Sequence, residues 1–175
     1  MVGITKNIVA ITAALSFFGA AIAAPAPAPE VDYVKLIEVA PGYPTVAELG
    51  LTNADLNKPV PELEPIIARS MLEKRYEPRC WGEPRCTVND ARACYNYLNS
   101  IGGNRCEVRG RVQMCKVGGC AWDARTLNNA FASSSCRDAA LGGAWVLNNC
   151  ISNNRVAGSN AAFGNGNLIV DIIGR

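Results

Sequence analysis

Histidine occurs at none of the 175 positions of this chain. Its absence removes the imidazole base from Ser-His-Asp and Cys-His nucleophile activation, and from the histidine pairs of many secreted ribonucleases. It also thins the usual zinc ligand set. The eight cysteines contain no C-x-x-C, being separated by five, seven, eleven, eight, four, fifteen and thirteen residues. A Walker loop is missing, and Gly164-Asn165-Gly166 lacks the rest of a dinucleotide fingerprint and its strand-to-helix setting. No cofactor and no metal are therefore expected. Long apolar runs are scarce: Asn7 to Ile22 is shorter than the roughly 20 residues of a membrane helix, and Thr12, Ser16 and Gly19 interrupt it. A glycosidase needs only two carboxylates, but Glu83, Asp90, Glu107, Asp123, Asp138 and Asp171 are scattered along the chain, and Asp90 and Asp138 fall at helix caps. The chain reads as a non-enzyme.

Cysteine is also missing from residues 1–79, and that gap organises the sequence. Met1 to Lys6 carries one positive charge, an apolar stretch follows, and Ala21-Ile22-Ala23 places small residues where a signal peptidase reads them. Residues 1–23 are expected to be a signal peptide. Lys74–Arg75 is the only adjacent basic pair and stands at the boundary where composition changes. With Leu72 and Glu73 before it, the pair is similar to the site of a kexin-type processing protease. The expected order is a propeptide over 24–75 and a mature cysteine-rich domain over 76–175, secreted to the extracellular space. The propeptide opens on a Pro/Ala tract of polyproline character. It has five basic and eight acidic side chains, a net of −3, whereas residues 76–175 have eleven and seven, a net of +4. It reads either as an acidic shield for the basic domain or as a disordered spacer. Order is expected in it only at 65–74, as a short amphipathic helix behind Pro65.

About 100 residues bury a limited core. Pairing of Cys80, Cys86, Cys94, Cys106, Cys115, Cys120, Cys136 and Cys150 into four bridges supplies about 2–4 kcal/mol each. Eight cysteines allow 105 connectivities. Thr87 with Asp90, and Ser135 with Asp138, each have the spacing of a helix N-cap. Apolar residues recur at helical spacing after both, giving helices up to Gly102-Gly103 and from Ser135 to Cys150. The second contains Gly142-Gly143, which costs about 1 kcal/mol per glycine relative to alanine but admits another backbone at close range. Its ends are about 21 Å apart, so Cys136 and Cys150 cannot bond each other. Arg111–Val117 alternates as a strand, with Cys106–Arg109 its expected partner across Gly110. Leu168–Ile173 is an apolar strand, paired by the Asn165-Gly166 turn with residues near Asn160–Phe163. The repeat Glu77-Pro78-Arg79-Cys80 and Glu83-Pro84-Arg85-Cys86 reads as an N-terminal arm pinned twice by disulfides. The fold class expected is α+β, two helices on a small antiparallel sheet, braced by disulfides.

The bases of residues 76–175 are ten arginines and one lysine. Arginine presents a planar fork to phosphate, sulfate or carboxylate. Arg109 and Arg111 flank the Gly110 turn outside the core pattern, and Arg125 and Arg155 fall in expected loops; together they are the candidate binding face. No basic run with interleaved aromatics points to nucleic acid. From the Cys94 helix through Met114-Cys115, Ser135–Cys150, Arg155-Val156-Ala157-Gly158 and the hairpin into Leu168–Ile173, the pattern resembles small cysteine-rich secreted proteins of filamentous fungi. More narrowly it is similar to the necrosis-inducing effector family and to fungal killer-toxin proteins. The resemblance covers Thr87 to Ile173 and implies an α/β sandwich acting without catalysis on a host or competitor cell. Three roles stay open: an effector or antagonist toxin binding a cell-surface protein, membrane or anionic glycan; a polysaccharide-binding module; and an enzyme inhibitor presenting Lys116–Gly119. A row of exposed aromatics would mark the second, with Trp81, Tyr95, Tyr97, Trp122, Phe131, Trp145 and Phe163 as candidates.

Overall fold

The computed structural model describes residues 31–63, 76–127 and 131–175. The expected signal peptide, the helix at 65–74 and the Lys74–Arg75 site lie outside them. The chain divides into Met1–Glu30 and Val31–Arg175, and every described residue belongs to the second unit. In chain order its elements are α1 (Tyr33–Leu36), β1 (Ile37–Val39), α2 (Asn53–Leu56), β2 (Arg79–Cys80), β3 (Cys86–Thr87), α3 (Val88–Ser100), β4 (Arg105–Arg109), β5 (Arg111–Val117) and β6 (Cys120–Thr126). There follow β7 (Phe131–Ser135), α4 (Cys136–Asn149), β8 (Ile151–Ser152), β9 (Arg155–Val156), β10 (Gly158–Ala162) and β11 (Asn165–Gly174).

Local chemistry explains the two long helices. Thr87 Oγ1 accepts from Asp90 N at 3.2 Å, and Ser135 Oγ accepts from Asp138 N at 3.0 Å, so each satisfies an amide that the first turn leaves unpaired. Gly142 and Gly143 then allow α4 to lie directly on the sheet. A Cβ at Gly142 would stand 2.6 Å from the Ala161 carbonyl oxygen, and one at Gly143 would enter the Trp122 ring. The helices pack on each other, and α4 also packs on β10 and β11.

The sheet is larger than the sequence suggests. Six antiparallel strands run in the order β1-β5-β6-β11-β10-β2, beside a three-stranded sheet β3-β9-β8 and a two-stranded sheet β4-β7. The α+β class with disulfides holds, but two helices on a small sheet understates the β content, and two four-residue helices join the long pair. The β10–β11 hairpin forms, with Asn160 opposite Val170, but it turns at Phe163-Gly164, where Gly164 has φ 69°, and the expected turn residues Asn165 and Gly166 already belong to β11. The expected β4–β5 hairpin does not form. Gly110 turns the chain at φ 78°, yet β4 runs beside β7, pairing Val108 with Ala132, while β5 pairs with β6. Gly110 therefore marks a change of sheet.

All eight cysteines pair: Cys80–Cys150, Cys86–Cys120, Cys94–Cys115 and Cys106–Cys136. Cys136 and Cys150 tie the two ends of α4 to different elements, and the repeated Arg-Cys arm is pinned twice. Among the described residues no helix is long and apolar enough to cross a membrane.

Residues 31–63 form an integral part of this structure. Strand β1 is one of the two outer strands of the six, and Tyr33, Val46 and Leu56 are buried in the same core as Tyr97, Leu98 and Val117. Order outside 65–74 was not expected of this proline-rich stretch. It arises because scattered apolar anchors and backbone pairing compensate for the low local propensity.

Candidate functional site

Alternation along the strands sorts residues to two sides of the six-stranded sheet. Trp122, Ala124, Val170 and Ile172 share the side that meets α4. Their neighbours Asp123, Arg125 and Asp171 point the other way, as do Arg111 and Gln113 on β5 and Ser159 on β10.

The register sets Asp123 directly opposite Asp171 on adjacent strands. Like charges in that position repel, and both side chains are almost completely buried, at 1% and 0% exposure. Burial raises the Asp123 carboxyl above its ordinary range, against the pull of Arg175 and Arg111. Burial raises Asp171 too, against Arg125 and Arg111 and with a further push from Asp123.

Three guanidiniums lie over the pair. Arg111 Nη2 donates to Asp171 Oδ2 at 2.6 Å, and its Nη1 reaches Asp123 Oδ2 at 3.4 Å. Arg125 Nε donates to both oxygens of Asp171, at 2.9 and 3.3 Å, and Arg175 Nη2 donates to Asp123 Oδ2. Arg125 Nη2 also donates to the Tyr76 hydroxyl at 3.0 Å, and that hydroxyl shares a 2.6 Å hydrogen bond with Ser159 Oγ. The arginines remain partly open, with side-chain exposures of 48% for Arg111, 43% for Arg175 and 27% for Arg125. Asp123 Oδ1 is buried and has no partner among the described residues.

Of the four candidate arginines, Arg111 and Arg125 converge here and the other two do not. Arg109 sits on β4 with its guanidinium 4.8 Å from the centre of the exposed Phe131 ring. Arg155, on β9, donates through Nη2 to the Arg85 carbonyl at 2.8 Å. Arg111 is more than the free surface residue its turn position suggested, because it partners buried carboxylates. Arg175 was missed, and Asp123 and Asp171, expected to be scattered, stand side by side. Asp171, a lone acid inside an apolar strand, was the available signal.

The other candidate features are dispersed or enclosed. Tyr95, Tyr97 and Trp122 are buried, so the seven aromatics do not form one exposed row. Lys116–Gly119 is not a free loop: Lys116 and Val117 end β5, only Gly118-Gly119 turn into β6, and Lys116 Nζ pairs with Glu38 Oε1 at 3.1 Å.

Chemically, this is a cation face with its geometry fixed from below. The carboxylates orient the guanidinium planes, while the remaining N–H groups can meet an anion in the bidentate manner arginine favours. Residues 75–174 match the model of a family described as a domain of unknown function, DUF8794, so the match begins at the dibasic pair. No curated protein and no solved structure matches the chain.

Proposed function

The chain belongs to the DUF8794 family of domains of unknown function, and from that premise we propose that it is a secreted protein that binds an anionic partner at a cell surface stoichiometrically, without turnover. The carrying observation is the trio Arg111, Arg125 and Arg175, partly exposed and held in place by buried Asp123 and Asp171. Three cations over two anions leave a net positive patch of fixed geometry. A preorganised patch loses less conformational entropy on binding than free surface arginines would. Complete pairing of the cysteines fits an oxidising compartment, as does the leader-like N-terminal sequence. The role of an effector or antagonist toxin accords with the resemblance to fungal cysteine-rich proteins.

Calorimetric titration of the protein with a sulfated glycan, and with its desulfated counterpart, tests the reading. Saturable binding to the sulfated form alone is expected. It should weaken as salt rises past about 0.15 M, where the Debye length is about 8 Å. Equal binding to both forms, or release of glycan fragments at substoichiometric protein, would refute it; fragment release would favour a carboxylate-pair hydrolase.

A further inference from the structure

Residues 31–63 contain no cysteine, so none of the four disulfides reaches them. They are nevertheless seated in a site on the disulfide domain that has three parts. The first is the β5 edge, where β1 adds a strand in the register Ile37↔Val117, Glu38↔Lys116 and Val39↔Cys115, extended by Ala40 N donating to the Met114 carbonyl at 3.2 Å. The second is polar. The Asn96 side-chain amide on α3 donates to the Leu56 and Lys58 carbonyls at 2.8 Å each, and the Tyr97 hydroxyl donates to the Pro44 carbonyl at 2.7 Å. The third is apolar, with Leu56 at 0% exposure and Tyr33 and Val46 at 4% each within the common core.

Backbone carbonyls are the acceptors for Asn96 and Tyr97, so the domain reads the path of the segment. This is recognition by strand addition with side-chain anchors. Charge agrees: residues 31–63 carry five acids and two bases against the basic domain, and Glu38 pairs with Lys116 across the new ladder. Without the segment, the β5 edge and the Asn96 amide would exchange these partners for water, and the apolar surface that receives Tyr33, Val46 and Leu56 would be uncovered.

We propose that the groove between the β5 edge and α3 is a peptide-docking site whose occupant is the chain's own segment 31–63, and that this segment stays docked as a separate noncovalent subunit once the chain is cut at Lys74–Arg75. The secreted protein is then a two-peptide complex. This inference is independent of the anionic-partner reading, which concerns the sheet face around Asp171.

The test uses the full chain with a site-specific protease sequence inserted after Arg75, so that the cut does not depend on the natural protease. After complete cleavage at about 1 µM, native mass spectrometry is expected to show one species holding both peptides, which places their Kd below that concentration. Asn96→Ala removes two buried donors and is expected to weaken retention by about tenfold. Leu56→Asp is expected to abolish it. Two separate species from the cut wild-type chain would overturn the proposal. So would retention unaffected by Asn96→Ala and Leu56→Asp, because the groove would then not be what holds the peptide.

Discussion

Replacing Gly143 by alanine sets two physical effects of opposite sign against each other. Helix propensity alone makes the change favourable by about 1 kcal/mol in the interior of α4. Packing opposes it. The new Cβ would lie 2.1 Å from Trp122 Cζ3 and 2.2 Å from Cη2, where carbon pairs rest at about 3.5–4.0 Å. Trp122 is fully buried on β6, between β5 and β11, and Cys120 two residues earlier is bridged to Cys86. The ring therefore cannot retreat, and the cost belongs at the upper end of the about 1–3 kcal/mol seen for overpacked cores. Subtracting the propensity gain leaves a net loss of about 2 kcal/mol, or about 4–8 °C in Tm for a chain of this size. Urea denaturation followed by far-UV circular dichroism measures it. Gly82→Ala, with nothing within 4 Å of its Cβ, is the control and should stay within about 0.5 kcal/mol of wild type. Trp122→Phe removes the clashing ring atoms, so the Gly143→Ala/Trp122→Phe double variant should be more stable than the sum of the single losses implies. A Gly143→Ala protein as stable as wild type, with additive behaviour in the double variant, would refute the reasoning.

Two further expectations concern the arginine face. Asp123 and Asp171 have carboxyl pKa values raised on folding above the ordinary 3.8, so their contribution to stability is fully present below about pH 3.8 and is lost as pH rises through the folded values. Tm should therefore increase between pH 7 and about pH 4, and a steady fall over that range in thermal melts would contradict it; Asp32, Glu48 and Asp55, whose carboxyls are lowered, act in the opposite direction at still lower pH. Arg111→Gln withdraws a donor from buried Asp171, which retains Arg125, and should cost about 2 kcal/mol in urea titrations, whereas Arg109→Gln gives up only its contact with the Phe131 ring and should cost under about 1 kcal/mol. Equal losses would mean that the buried carboxylates do not depend on Arg111.

What was readable in the sequence was what is decided within a few residues. Thr87 and Ser135 reveal their helices because a cap is a contact between residues three apart; the glycine-rich stretch reveals a hairpin for a similar reason, although the turn falls at Phe163-Gly164 and not at Asn165-Gly166. The glycine pair in α4 could be read as an approach site, although not which partner it met. The β4–β7 pairing was hidden because Gly110 has every property of a hairpin turn, and the choice of strand partner is made over more than twenty residues. Asp123 and Asp171 come together only through the β6–β11 register, which no spacing along the chain encodes. In residues 31–63 two local signals were available and passed over, the reciprocal pairs Thr45 with Glu48 and Thr52 with Asp55. Thr52-Asn53-Ala54-Asp55 forms a complete capping box, with Thr52 Oγ1 accepting from Asp55 N and Asp55 Oδ2 accepting from Thr52 N. Proline-rich surroundings concealed them, since composition averages over the few residues that carry the packing.

The flanks of the six-stranded sheet bear on how the protein avoids sticking to itself. Its outer strands are the shortest in it: β1 has three residues and β2 two, while β5 and β11 have seven and ten. Short outer strands offer little template for pairing with a second molecule. On one side the cover is β1, from a segment that no disulfide secures. If that cover were removed, the seven-residue β5 would become the border, with Arg111 and Lys116 its two charged residues to discourage a neighbouring chain. Handling that strips residues 31–63 should therefore promote self-association edge to edge, even with every disulfide intact.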